Sequence, residues 1–362
     1  MNTITIATGI TSAVVAPLED RQRLANRIFR ATFAITVALT AFAALSYFTG
    51  IGQRITGEIR FDERALRSIL FGSLVLNIGL GFVWWGIKSL LLRFVAGFDR
   101  DERRAAFSSR MDQPFDVAAL TARHSERRIR IVDMIGRRGR FMVLGLAGFF
   151  YLYARVGAER PENFATAFLS DNFLDAVVTG WMFLLLYRGN HFLARAVYGP
   201  QSRVMDGVLA RANCLLIITL WGLFKFVLLP IGAQLATLYS PAQFAAVFAL
   251  IWGSYMVCDM MAEVGGSLYG TMKIRVRGVG DVNRKSIAGT VTGFVASLTF
   301  CLAIVSANAL PPSFYGLAVA ISFSNTLLEL YSPRGTDDFC MATGNALLCW
   351  AFGAWILVPG GS

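Results

Sequence analysis

Residues 213–239 read NCLLIITLWGLFKFVLLPIGAQLATLY, twenty-seven positions with a single charged side chain, Lys225. A helix crosses the hydrocarbon core of a bilayer in about 17–25 residues, whereas a buried core helix of a soluble domain uses a shorter apolar run. Residues 71–87 (FGSLVLNIGLGFVWWGI) and 287–310 (IAGTVTGFVASLTFCLAIVSANAL) repeat the pattern. Composition agrees: 55% of the chain is hydrophobic and 16% charged, against about 45–50% and about 25% in soluble domains. The sequence therefore predicts a polytopic membrane protein of the all-α class. Helices are the expected spanning element because each satisfies its own backbone polar groups.

Nine spans are expected, at roughly 30–50, 68–88, 141–155, 172–188, 213–238, 242–259, 287–307, 314–331 and 341–358. The net charge of +11 would suggest nucleic acid in a soluble protein, but the positive-inside rule accounts for it here, so no nucleic-acid partner is expected. With the N-terminus in the cytoplasm, the inside segments 1–29, 89–140, 189–212, 260–286 and 332–340 and their adjoining span ends collect about 27 of the 34 Lys and Arg residues. The expected topology is N-in, C-out. The chain divides into residues 1–240, a membrane region carrying the long basic segment 89–140, and residues 241–362, where the chemistry concentrates.

Within 89–140, Ile129, Ile131, Val132 and Ile135 interleave with Arg127, Arg128, Arg130, Arg137 and Arg138. This pattern fits a basic amphipathic helix lying on anionic lipid headgroups, or a plain determinant of topology. Cys214, Cys258, Cys301, Cys340 and Cys349 lie in or beside apolar runs without a C-x-x-C pair, and read as small hydrophobes. His124 and His191 are too far apart in sequence to suggest a metal site. The stretch ITIATGITSAVVAPL, residues 4–18, lacks the basic start of a signal peptide.

The segment VCDMMAEVGGSLYG, residues 257–270, places Asp259 and Glu263 four apart at the end of the sixth span, on one side of a helix. Lys285 and Ser286 open the seventh span, where exposed N–H groups and the helix dipole favour phosphate. Glu329 closes the eighth span, and Arg334, Asp337 and Asp338 follow in YSPRGTDDF. In the N-in topology all these groups reach the cytoplasmic face. Carboxylates with Lys, Ser and Arg suit a magnesium–nucleotide: the acids hold the hard cation and the bases offset phosphate charge. Gly265, Gly266 and Gly270 allow a close backbone approach to a ligand or another helix. There is no Walker A loop; GVGDVNRKS, residues 278–286, does not supply one.

These residues resemble the polyprenol kinase family, which comprises dolichol kinases, phytol kinases and CTP-dependent diacylglycerol kinases. The family pattern runs D-x-x-A-[DE]-x-x-G-x-x-x-G, then K-S-x-[AE]-G-[ST], then Glu and a paired acid. Here it reads Asp259, Ala262, Glu263, Gly266 and Gly270; then Lys285, Ser286, Ala288, Gly289 and Thr290; then Glu329, Asp337 and Asp338. Lys273 and Ile274 echo the phytol kinase branch. The likeness covers about the last 120 residues, departing from the family at Cys258, at Phe339 and in an insertion before Lys285. It implies phosphoryl transfer from CTP, or ATP, to the hydroxyl of an isoprenoid alcohol or diacylglycerol, with Mg2+ as cofactor. It assigns Asp259, Asp337 and Asp338 to the metal, and Lys285, Ser286, Gly289, Arg334, Gly266 and Gly270 to nucleotide phosphates. Glu263 or Glu329 would accept the hydroxyl proton, with Lys285 assisting catalysis. Alternatives are a CTP-dependent phosphatidate cytidylyltransferase-like enzyme and a transporter.

Lys225 in mid-span is expected to pair with a carboxylate or to meet a lipid hydroxyl or phosphate. Trp84, Trp85 and Trp181 read as belt or packing residues, and Asn77 and Asn325 as helix-to-helix hydrogen bonders.

Overall fold

The computed structural model describes residues 18–50, 63–108, 117–140, 164–189, 191–276, 284–333 and 335–357. Helix α1 is Leu18–Thr49. Helix α2, Glu63–Leu74, continues through a π-helical turn, Val75–Leu80, into α3, Gly81–Phe94. Three shorter helices follow: α4 (Arg100–Ser108), α5 (Val117–Arg123) and α6, helical from 126 to 140. Then come α7 (Phe164–Leu186), the short α8 (Phe192–Tyr198) and a 3-10 turn, Val204–Leu209, that opens α9 (Ala210–Leu238). The last third holds α10 (Pro241–Tyr269), α11 (Ile287–Ala307), α12 (Ser313–Tyr331) and α13 (Asp337–Phe352).

Among the described residues, seven helical stretches are long and apolar enough to cross a bilayer: Leu18–Thr49, Ile69–Phe94, Leu169–Leu186, Val204–Leu238, Gln243–Tyr269, Ile287–Ala307 and Asp337–Ile356. A multi-pass, helical membrane protein follows from them. Of the nine expected spans, 141–155 lies outside the described residues, and 314–331 is the helix α12, which is not among the seven. The large apolar side chains left exposed on these helices, such as Phe48, Phe71, Leu185, Val291 and Val295, are those a lipid environment would cover.

The all-helical expectation needs one addition. Between α10 and α11 the chain forms an antiparallel ribbon, β1 (Lys273–Arg275) against β2 (Arg284–Ser286), with Lys273 opposite Ser286 and Ile274 opposite Lys285. Strands of three residues are too short for a period-two pattern to appear in the sequence.

Local signals explain the two helices that frame the site. Ser240 caps α10 with its hydroxyl accepting from the Gln243 amide at 3.4 Å, while Gln243 Oε1 accepts from the Ser240 amide at 3.1 Å, and Pro241 takes the first turn. In α11 the buried positions Gly289, Gly293, Ser297, Cys301 and Val305 recur every four residues. That stripe of small side chains lets α10 approach closely: a Cβ on Gly289 would stand 2.5 Å from the Ala262 carbonyl oxygen, and one on Gly293 2.9 Å from that of Cys258.

The main apolar core runs through both halves of the chain, joining Leu39, Phe173 and Phe224 to Ile251, Cys301, Phe314 and Met341. Within it, Asn325 Nδ2 donates to Ser254 Oγ at 3.1 Å and Ser297 Oγ at 3.2 Å, and Asn345 Nδ2 donates to Ser254 Oγ at 3.1 Å. Asn325 thus ties α12 to α10 and α11. Lys225 pairs with Asp175 at 3.2 Å and lies 3.8 Å from the Trp221 ring centre, linking α9 to α7. Trp181 donates to Thr40 Oγ1 at 2.8 Å, and Trp84 packs on Gly139.

The basic segment folds on itself. Leu92, Phe98, Phe107, Leu120, Ile129 and Val132 form a separate apolar cluster. The amphipathic face expected to lie on headgroups is therefore buried against protein at Ile129 and Val132, with Ile135 exposed. What α6 offers to a membrane surface is its exposed Arg127 and Arg128.

Candidate functional site

Helix α10 ends, α11 begins, α12 ends and α13 begins at one side of the bundle, so four helix ends bring their polar residues together. A cavity of about 190 Å³ opens there. It is lined by Asp259, Glu263 and Gly266 of α10, by Lys285, Ser286 and Gly289 around the start of α11, by Glu329, and by Asp337 and Asp338. Every charged residue singled out by the sequence motif and described in the structure is in this wall. Arg334 lies outside the described residues. Gly270 ends α10 and is not in the wall; a Cβ there would meet the Ser286 hydroxyl at 2.7 Å.

Lys285 sits between two carboxylates, 3.0 Å from Glu329 and 3.2 Å from Asp337. Burial works against its charge, but Asp337 and Glu329 outweigh burial and the ammonium pKa is raised from its ordinary value. Ser286 serves the fold, its hydroxyl accepting from the Gly289 amide at 3.1 Å as the cap of α11. Gly266 and Gly289 both crowd that hydroxyl, so the glycines first serve the packing of α10 on α11.

The other half of the wall is arginine, which the sequence motif does not predict at this place. Arg138 on α6 holds Asp259, with Nη2 donating to Oδ1 at 2.6 Å, and also pairs with Glu263 through Nε. Arg137 pairs with the same Glu263 oxygen, and Arg203 reaches its second oxygen at 3.2 Å. Glu263 thus carries three guanidinium partners. Burial opposes the charge on Arg138, yet Asp259 and Glu263 hold its pKa above the ordinary value; Arg137 is lowered by burial and by its neighbours Arg138 and Arg203. The ribbon adds Lys273 to the wall.

A buried ion pair anchors these arginines. Lys88 Nζ on α3 lies 2.8 Å from Asp133 Oδ1 on α6, and donates to the Ser202 carbonyl at 2.5 Å and the Gly199 carbonyl at 3.2 Å. Asp133 Oδ2 accepts from the Val204 amide at 2.7 Å. Burial pushes the Asp133 carboxyl up, opposed by Lys88. One knot therefore sets α6, which carries Arg137 and Arg138, against the segment that carries Arg203. Gly136 lets the Lys88 stem pass, since a Cβ there would meet Lys88 Cδ at 2.8 Å. The trace of this in the sequence is the IGRRGR run, where glycines flank the arginine pair; nothing in Arg203's surroundings marks it.

Among the described residues, no three His, Cys, Asp or Glu side chains are grouped as a ready cage for a metal ion. Asp259 is taken up by Arg138 and Asp337 by Lys285. Asp338 differs, with a buried Oδ1 that has no hydrogen-bond partner, while Asp259 and Asp337 act on it electrostatically. Magnesium asks for only one or two carboxylates, the rest of its shell being water and substrate phosphate. Among the described residues the donor set is that of an ion sharing its shell with water and phosphate, not that of a closed protein cage.

Comparison with protein-family models, with curated proteins and with solved structures returns no match.

Proposed function

We propose that the chain is an integral membrane lipid kinase that transfers the γ-phosphoryl group of a nucleoside triphosphate, CTP before ATP, to the hydroxyl of an isoprenoid alcohol or diacylglycerol. The observation that carries this reading is the meeting of Asp259, Glu263, Lys285, Glu329, Asp337 and Asp338, drawn from three separate stretches of sequence, in one cavity at the helix ends. A reaction between a water-soluble nucleotide and a membrane lipid belongs at such a boundary. The resemblance to polyprenol kinases guides the choice of substrates, and the positive-inside charge distribution favours the cytoplasmic face for the cavity.

In this mechanism the lipid hydroxyl attacks the γ-phosphorus, the bond to the β-phosphate oxygen breaks, and the nucleoside diphosphate leaves. Glu329 takes the hydroxyl proton, since among the described residues it pairs with one cation, Lys285, whereas Glu263 is engaged by three arginines. Lys285 offsets charge on the transferring group. Asp338, with Asp259 and Asp337, would hold magnesium, which when bound neutralises phosphate charge.

Membranes containing the protein, given γ-labelled CTP or ATP and a panel of lipid alcohols, test this directly. Label should enter lipid and be lost with Lys285→Ala and with Asp337→Asn. Full activity in both variants overturns the site; release of pyrophosphate in place of the nucleoside diphosphate turns the reading to a cytidylyltransferase.

A further inference from the structure

Arg137, Arg138 and Arg203 come from outside the stretch that carries the kinase motif, yet they hold two of its acids. We propose that these three arginines are the phosphate-binding residues of the cavity, exchanging Glu263 and Asp259 for a phosphate chain that arrives with a divalent cation. The identity of that chain as a nucleoside triphosphate rests on the kinase reading; the exchange itself rests on the cavity.

Two atoms motivate it. Arg137 Nε is a buried donor with no acceptor, and Asp338 Oδ1 is a buried acceptor with no donor, both from residues of one cavity wall. Such groups are costly unless a ligand meets them. A phosphate oxygen answers the first and a cation the second, so a cation–phosphate pair satisfies both at once.

Charge balance points the same way. Among the described residues the wall carries six cations, Arg130, Arg137, Arg138, Arg203, Lys273 and Lys285, and seven carboxylates, one of which, Asp133, is already neutralised by Lys88. A bare polyanion would have to break arginine–carboxylate pairs and leave the acids uncompensated, which is strongly unfavourable at a buried site. A metal-bound phosphate chain replaces each pair with two: arginine to phosphate and carboxylate to cation. Arginine is the residue for this, because its planar fork meets phosphate bidentately as readily as carboxylate. The exchange moves only guanidinium ends, since the Lys88–Asp133 knot fixes the backbones of α6 and of the Arg203 segment.

The test is binding of inorganic tripolyphosphate to the purified full chain in phosphatidylcholine nanodiscs, by calorimetry, with and without Mg2+. These discs offer no anionic headgroup to compete. Binding should need the cation, and Arg203→Gln and Arg138→Lys should each weaken it about tenfold or more, the loss of one charge-assisted contact. Arg203→Gln leaves Glu263 two partners, so this variant keeps its fold if Arg138→Lys does not, and thermal unfolding checks both. Absence of tripolyphosphate binding, equal binding without Mg2+, or wild-type affinity in both variants overturns the proposal. Arginine-dependent binding without label transfer to any lipid alcohol would retire the kinase reading and leave the clamp standing. Label transfer undiminished in the variants would do the reverse.

Discussion

At the scale of single residues, the cavity divides its acids by their partners. Among the described residues Glu329 faces one ammonium and Glu263 three guanidiniums, so the two glutamates that the motif leaves interchangeable have different surroundings. Removing a general base costs about 10²–10⁴-fold in rate. Glu329→Gln should therefore lower kcat by about 10²-fold or more with nucleotide KM little changed. Glu263→Gln, which releases three arginines from their carboxylate, should show first as a lower unfolding temperature. Steady-state kinetics and thermal unfolding of the two variants separate these outcomes, and the opposite ranking would move the base to Glu263. Asp259, Lys285 and Asp337 were legible at this scale because their spacing is local; their partners were not, since Arg137 stands 126 positions before Glu263 and Arg203 60 positions before it.

At the scale of elements, the decisive piece is α6. Its charge pattern was visible, but its apolar face closes on Phe98, Phe107 and Leu120, and its arginine pair turns to the cavity. Lys88 and Asp133 hold it there, both almost wholly buried, at 1% and 5% exposure. Removing one member of a buried pair strands the other, at about 3–5 kcal/mol, whereas replacing both by apolar groups is often neutral. Lys88→Met should thus destabilise by about that much, and Lys88→Met with Asp133→Leu should recover most of it. Denaturant unfolding in micelles measures both, and a double variant as unstable as the single one would show that the pair does not act as the anchor. The seam between α10 and α11 is tested by Gly289→Ala, whose Cβ would crowd the Ala262 carbonyl at 2.5 Å. Overpacking of this kind costs about 1–3 kcal/mol, read as a lower unfolding temperature, and unchanged stability would mean the seam can yield.

At the scale of the whole molecule, the bundle is one unit across residue 240, because its core joins helices from both sides of that point. The start of α1 lies beside the end of α7, where Phe29 stacks on Tyr187 with ring centres 5.0 Å apart. Arg211, at the start of α9, donates to the Tyr187 carbonyl at 2.9 Å, which brings α1 to the cavity end of the bundle. Exposed Arg23 and Arg128 should therefore face the same compartment as the site, which the proposed topology makes the cytoplasm. With Cys340 replaced by Ser, a membrane-impermeant thiol reagent should label Arg23→Cys and Arg128→Cys in inverted vesicles only. Labelling of the two from opposite sides would break the topology.

The sequence by itself determined the material of the fold and one half of the site. Apolar runs of bilayer length dictate spanning helices, and acids, lysine and small residues at fixed local spacing mark the end of α10, the start of α11, the end of α12 and the start of α13. These signals survive in sequence because a helix relates residues three or four apart. Tertiary structure alone decided which cations meet those acids, that α6 packs on protein, and that a short ribbon presents Lys273 and Lys285. Those are contacts between residues about ten to more than a hundred positions apart, set by how helices pack and strands pair, and no local periodicity encodes them.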